Sequence, residues 1–166
     1  MKTYFFTYIF LRVDGSSESL FPGPLPRWHA APKWALAVQQ ARMLDEMLSA
    51  SNLSFGLFPG LTRGAMEAIA AHASDDLKTR YLAPLISGEW TGAMALTESG
   101  AGTDLALLKT KAEDLGDGRF AITGQKIFIS SGDHDMASNI VHLVLARLPD
   151  APAGVKGISL FLVPKM

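Results

Sequence analysis

The chain contains no cysteine, which excludes disulfides, thiolate nucleophiles and thiolate metal ligands. It also lacks an excess of either charge: 15 Lys and Arg against 16 Asp and Glu give a formal net charge of −1. This balance offers no electrostatic attraction to nucleic acid or to an anionic membrane. No apolar run approaches the roughly 20 residues that span a bilayer. The remaining composition, 48% hydrophobic and 19% charged, is that of an ordinary globular protein. The absence of cysteine fits a reducing cytoplasm.

The first 30 residues differ in texture from the rest of the chain. Lys2 precedes the apolar and aromatic run Tyr4 to Leu11, which is long enough for the core of a secretion signal. No small-residue cleavage pattern follows, so a strand or a poorly ordered leader is preferred to an export signal. We therefore treat residues 1–30 as an atypical leader that is either a strand or disordered.

Helical periodicity dominates residues 31–89. Apolar residues recur at steps of three and four over residues 32–52, which predicts an amphipathic helix. A second helix is predicted over Leu61 to His72. A third begins after Ser74, a favourable N-cap residue, and ends near Pro84.

After Gly88 the pattern changes to short β-branched and aromatic runs separated by turns, which predicts a β domain and an α+β fold class. Six strands are predicted: Thr91 to Leu96, Leu107 to Ala112, Arg119 to Thr123, Gln125 to Ser130, Ile140 to Ala146 and Gly157 to Val163.

The first motif that carries chemistry follows the first of these strands. Thr97-Glu98 precedes the small-residue turn Gly100-Ala101-Gly102, which is followed by Thr103-Asp104. Backbone with so little side chain can approach a flat ligand closely, and glycine also permits positive φ. The hydroxyls of Thr97 and Thr103 can exchange hydrogen bonds with the edge of a polar heterocycle. An ordinary turn between strands is the alternative interpretation.

The second motif is GQKIFISSG, residues 124–132. Alternation with period two places Phe128 and Ser130 on one face of a predicted strand. An aromatic ring beside a hydroxyl suits a planar ligand, although both residues are also common in strands without a ligand.

Taken together, the two motifs resemble those of the acyl-CoA dehydrogenase family, in which a T-E-P-x-A-G-S-D-like turn and a G-x-K-x-W-I-T-N-G-like strand line a flavin. The resemblance extends from about Met47 to Met166 and is closest to the branch acting on 3-(methylthio)propanoyl-CoA. It implies a partial N-terminal helical domain over residues 31–89. It also implies a partial middle domain over residues 90–166, with the architecture of an incomplete antiparallel β-barrel.

The resemblance also implies site residues. Those matching the family's FAD contacts are Met94, Leu96, Thr97, Gly102, Thr103, Phe128, Ile129 and Ser130. Thr103 occupies the family's serine position, which also touches the acyl-CoA substrate. Phe128 stands where the family usually has tryptophan, so stacking is retained while the indole N–H donor is lost.

The implied reaction is FAD-dependent oxidation of an acyl-CoA thioester to the 2,3-enoyl-CoA, by α-proton abstraction and β-hydride transfer to flavin N5. In the family the catalytic base is a carboxylate of the C-terminal helical domain, and no residue here is assigned to that role. Glu98 belongs to the turn motif, and Asp104 is expected to cap or brace that turn. The chain is therefore expected to be inactive alone.

The resemblance further implies an electron acceptor such as an electron-transfer flavoprotein, and a homo-oligomeric full-length enzyme. Two alternatives remain open: a non-catalytic truncated interaction module, and an acyl-CoA oxidase-like flavoprotein. No metal site is predicted, because His134 and His142 have no evident third convergent ligand.

Overall fold

A computed structural model describes residues 6–10 and 33–166. Its fold class is α+β, as predicted, with helices α1 (Lys33–Ser51), α2 (Leu53–His72) and α3 (Asp75–Ser87). The chain divides into two compact units, and the division falls between Gly60 and Leu61, inside α2. One unit contains α1 and the first part of α2, whereas the other contains the rest of α2, α3 and all the strands.

Six strands are present: β1 (Phe6–Phe10), β2 (Trp90–Ala95), β3 (Lys111–Asp114), β4 (Arg119–Thr123), β5 (Asn139–Arg147) and β6 (Ile158–Pro164). Strand β1 lies in the leader and pairs antiparallel with β4 and β6. The remainder of the leader, residues 1–5 and 11–30, lies outside the described residues.

The helices agree with the predicted ones except at their ends. Helix α2 begins at Leu53, well before the predicted start at Leu61, and the Asn52 Oδ1 accepts a hydrogen bond from the Phe55 N–H at 3.0 Å at its N-terminus. Glycine and proline within residues 56–60 obscure this first part of the helix in the sequence. Ser74 is the N-cap of α3, although its hydroxyl makes no capping hydrogen bond.

The sheet is mixed, so the prediction of an antiparallel barrel is wrong in strand direction. Strand β2 runs parallel to β5 over six residue pairs, from Trp90 with Asn139 to Ala95 with Val144, and β3 also meets β5 in parallel. The remaining pairs are antiparallel. Because β5 pairs with both β3 and β6, the strands β5, β3, β4, β1 and β6 form a ring, with β2 outside it on β5.

Two predicted strands are also wrong. The Leu107 to Ala112 strand is displaced to Lys111–Asp114, because Leu105–Leu107 forms a short 3₁₀ turn before it. Residues 125–130 form no strand at all. Phe128 has φ of 56°, which lies outside the extended region and interrupts any ladder at that point.

Apolar side chains pack on both faces of the sheet. One cluster lies among the strands: Ala95, Ala112, Phe120, Ile122, Val144, Ala146, Phe161 and Val163. In this cluster the Phe120 and Phe161 rings meet edge to face, with centroids 5.2 Å apart. The second cluster joins α2 and α3 to the other face of the sheet, and includes Ile69, Tyr81, Leu85, Val141 and Leu162.

Arg147, at the end of β5, ties two loops to the sheet through their backbone. Its Nε donates to the Leu108 carbonyl at 3.0 Å, and its Nη2 to the Ala106 carbonyl at 2.9 Å. Its Nη1 donates to the Gly154 carbonyl at 2.7 Å. The loop that follows the first motif is therefore fixed to the loop that precedes β6. Within the described ranges, no helix is both long and apolar enough to cross a membrane.

Candidate functional site

The first motif forms a tight turn at the end of β2. The Glu98 N–H donates to the Ala101 carbonyl at 2.9 Å, and the Ala101 N–H donates back to the Glu98 carbonyl at 3.1 Å. Neither Gly100 nor Gly102 has positive φ, so these glycines provide space and not an unusual backbone conformation. A Cβ added at Gly100 would meet no heavy atom within 4 Å, and one at Gly102 only the Thr97 Cγ2 at 3.9 Å. The turn therefore presents an open backbone face.

The second motif places an aromatic side chain outside the core. Phe128 is 89% exposed and has φ of 56°, in the left-handed region that non-glycine residues seldom occupy. Next to it, Ile129 packs against the strand cluster and Ser130 is exposed. Phe128 and Ser130 are both exposed, but they lie on a loop, so the predicted strand face that would hold them together is not present. Backbone strain beside an exposed ring is typical of ligand sites.

The two motifs are adjacent in space. The Ile127 N–H donates to the Thr97 carbonyl at 2.9 Å, and the Lys126 ammonium donates to the Leu96 carbonyl at 3.0 Å. Residues 96–98 and 126–128 therefore run beside each other, and we call these two segments together the junction. Phe128 follows directly after Ile127, the residue that is hydrogen-bonded to Thr97.

The other predicted residues extend away from this junction. Met94 packs against the helix-facing cluster from within β2, and Leu96 is half-buried. Thr103 is exposed beyond the turn. The adjacent Asp104 accepts a hydrogen bond from the Ala106 N–H at 2.9 Å, so it caps the following 3₁₀ turn Leu105–Leu107 and not the motif turn that it was expected to cap or brace.

Sequence reasoning missed the polar network beneath the junction. The Lys126 side chain is 1% exposed, and its Nζ lies 2.9 Å from the Oε1 of Glu98, which is 8% exposed. The same oxygen accepts hydrogen bonds from the Thr110 N–H at 3.0 Å and hydroxyl at 2.5 Å, and Oε2 accepts from the Lys109 N–H at 2.7 Å. A lysine inside a predicted strand, between Gln125 and Ile127, was the available signal.

Burial and hydrogen bonding set the charge state of this pair. Burial opposes ionisation of Glu98, but the hydrogen bonds from Thr110, Lys126 and Lys109 outweigh it and hold the pKa of that carboxyl below its usual value. Burial lowers the pKa of Lys126, and the attraction of Glu98 offsets only part of that effect. Glu98 is therefore a fixed anion with its oxygens occupied, and not a free base.

The two histidines near the second motif have protein partners. His142 is buried, with its ring nitrogens 2.7 Å from the Gly132 carbonyl and 3.2 Å from the Val163 carbonyl. The Nε2 of His134 lies 3.1 Å from the Thr91 hydroxyl. Across residues 6–10 and 33–166, no group of three or more metal-ligating side chains is found.

Comparison with known proteins identifies relatives of this chain. Residues 93–166 match the family described as "Acyl-CoA dehydrogenase, middle domain". The chain is 53% identical over 121 residues to 3-methylmercaptopropionyl-CoA dehydrogenase of Ruegeria pomeroyi, an alignment that covers 73% of this chain and 21% of that protein. It is 50% identical over 121 residues to a butyryl-CoA dehydrogenase of Syntrophomonas wolfei, covering 72% of this chain and 20% of that protein.

Among solved structures, glutaryl-CoA dehydrogenase of Mycobacterium smegmatis in complex with FADH2 superposes with a TM-score of 0.59 at 29% identity, covering 70% of this chain and 28% of that one. The sequence and fold define a module of the acyl-CoA dehydrogenase type. The chain belongs to the acyl-CoA dehydrogenase family, and it spans about a fifth of the length of the two sequence relatives named above.

The family uses FAD, and the residues at the junction fit a flavin ring. Phe128 offers an exposed apolar face, the hydroxyls of Thr97 and Ser130 can meet polar ring edges, and the backbone at Gly100 and Gly102 has no side chain to block approach.

Proposed function

We propose that this chain carries the flavin-ring-contacting part of an FAD-dependent acyl-CoA dehydrogenase, which oxidises an acyl-CoA thioester to the 2,3-enoyl-CoA. The observation that carries the proposal is the hydrogen bond between the Thr97 carbonyl and the Ile127 N–H, because it joins the hydroxyl-bearing turn to the residue before the exposed Phe128 ring. The acyl-CoA dehydrogenases among its relatives support the reaction class.

Each residue at the junction has a proposed role. Phe128 stacks on the ring system, while Thr97 and Ser130 exchange hydrogen bonds with its edge and Gly102 lets it approach the backbone. Bound FAD would supply the hydride acceptor of the reaction. Thr103 contacts the acyl-CoA. A 3-(methylthio)propanoyl thioester is the substrate we favour, because of the 53% identity to an enzyme named for that acyl group.

The 166-residue chain alone is proposed to be inactive. The carboxylate of Glu98 is buried and hydrogen-bonded to Lys126 and Thr110, so it is not available to abstract an α-proton, and Asp104 serves as the cap of Leu105–Leu107 and is not assigned as the base. An electron-transfer flavoprotein as acceptor and a homo-oligomeric whole enzyme are further proposals that follow from family membership, and a cytoplasmic location is proposed because the chain has no cysteine.

Fluorescence titration tests the cofactor proposal. Adding the chain to FAD should quench flavin emission, and Phe128→Ala should weaken affinity about fivefold, since an aromatic pair contributes about 1 kcal/mol beyond buried area. Leu115→Ala removes an exposed apolar side chain from the β3–β4 turn, outside both motifs, and should leave affinity unchanged. Unquenched emission at high chain concentration, or equal loss in both variants, would contradict the proposal.

A second candidate, a non-catalytic interaction module, is favoured by apolar exposure in the unit that contains α1. The apolar side chains of α1 and early α2 that are 56–66% exposed are Met43, Leu44, Met47, Leu53, Phe55 and Leu57. Exposed apolar surface of this kind is typical of association sites. Sedimentation velocity tests this candidate: self-association that Met43→Lys and Met47→Lys abolish would support it, and a monomer at all concentrations would exclude association with a second copy.

A further inference from the structure

A polar network beneath the two motifs joins them through side-chain hydrogen bonds, in addition to the backbone hydrogen bond between Ile127 and Thr97. The Lys126 ammonium donates to the Leu96 carbonyl at 3.0 Å and to the Glu98 carboxylate at 2.9 Å. These acceptors flank Thr97 on both sides, and the donor lies two residues before Phe128. One ammonium therefore bridges from the second motif to the residues before and after the central threonine of the first.

Each buried polar side-chain atom of this network has at least one hydrogen-bond partner. Glu98 accepts four hydrogen bonds, from Lys109, Lys126 and twice from Thr110. No buried side-chain nitrogen or oxygen of the described residues lacks a hydrogen-bond partner. A lysine that is 1% exposed is rare unless it is paired in this way.

Net stability does not explain why such a pair is present. Desolvation of two buried charges offsets most of their attraction, so well-packed neutral side chains of similar volume are often equally stabilising. What the ion pair provides is geometry: a charged donor with fixed acceptors specifies one arrangement of the segments it joins.

Resting on the proposed flavin function, we infer that Lys126 is a positioning residue: its ammonium, bound to Leu96 and Glu98, sets the separation between Thr97 and Phe128 and thereby shapes the flavin site. Lys126 itself lies beneath the junction and does not contact the cofactor. Its removal should therefore loosen the junction locally, even where the fold survives.

The test compares the double variant Glu98→Gln/Lys126→Met with the parent chain. The double variant leaves no unpaired buried charge, so we expect it to fold, whereas Lys126→Met alone leaves Glu98 buried and unpaired and should be strongly destabilised. Lys111→Met is the matched control, because it makes the same replacement at an exposed position of β3. The local readout is amide hydrogen exchange at Ile127, whose N–H is bonded to Thr97. The Lys165 amide, bonded to the Ile140 carbonyl, is the internal reference.

In the double variant, we expect exchange at Ile127 to accelerate at least tenfold relative to Lys165, and FAD affinity to fall at least tenfold. Lys111→Met should change neither. A general loss of stability would accelerate both amides together, so the ratio of the two rates isolates positioning. Parent-like Ile127 protection in the folded double variant would overturn the inference. So would parent-like FAD affinity in that variant.

Failure of the proposed function gives a different result. A parent chain that does not quench FAD refutes the flavin proposal, and the Ile127 exchange ratio then decides the positioning role of Lys126 alone. An accelerated ratio supports that role, and an unchanged ratio refutes it.

Discussion

The backbone conformation of Phe128 should lower the stability of the folded protein, and the size of this effect can be measured. The residue has φ of 56°, a conformation that costs an L-residue about 1–2 kcal/mol, whereas glycine adopts it freely. Its side chain is 89% exposed, so truncation removes almost no buried surface. Phe128→Ala retains the strain and Phe128→Gly relieves it. Glycine loses about 0.5–1 kcal/mol to the greater freedom of the unfolded chain, so the Gly variant should be more stable than the Ala variant by about 0.5–1 kcal/mol.

Urea unfolding followed by circular dichroism measures this difference. The same two substitutions at Met136, which is exposed and does not have positive φ, provide the control. There the order should reverse, with Gly less stable than Ala by about 0.5–1 kcal/mol. Both Phe128 variants should lose FAD affinity equally, because both lack the phenyl ring. An Ala variant at position 128 as stable as the Gly variant would refute the assignment of backbone strain to this residue.

Two further predictions concern stability. The folded pKa of Glu98 is lowered from the usual value of 4.5, so the stabilisation from its carboxylate is complete above pH 4.5 and is lost as pH falls through the folded pKa. The urea midpoint should therefore fall more steeply with decreasing pH for the parent chain than for Glu98→Gln/Lys126→Met. Equal pH dependence of the two midpoints would count against this. A Cβ at Gly92 would lie 2.5 Å from the Ala65 Cβ, so Gly92→Ala should lower the free energy of unfolding in urea by about 1–3 kcal/mol. Gly100→Ala, whose added Cβ would lie in open space, should lower it little. Equal losses in the two variants would contradict the close packing of α2 on β2.

Local sequence was informative wherever local chemistry decides the conformation. Strand β4 occupies the predicted residues Arg119–Thr123, because alternating burial there is visible in the sequence. The sequence did not show which strands pair with each other or whether they run parallel or antiparallel. The nine residues of β5 are almost all buried, which shows that the strand is central but not that β2 runs parallel to it.

The residues assigned to the candidate site stay predictions, and the way in which the two motifs meet could not be predicted from the sequence. The motifs identified Thr97 and Phe128, and hydrogen bonding brings their segments together. Residues 125–130 alternate in sequence like a strand, yet Lys126 enters a buried ion pair and Phe128 turns out in a left-handed conformation. Long-range partners such as Glu98 decide that geometry, and no short window of sequence contains them.

The guanidinium of Arg147 places no demand on the identity of the residues it anchors. It binds main-chain oxygens of Ala106, Leu108 and Gly154, which every amino acid possesses. The anchor itself therefore selects no particular side chain at these positions, although φ of 76° favours glycine at position 154 for a separate reason. Such an arrangement lets evolution vary the loop beside the first motif without rebuilding the strand that supports it.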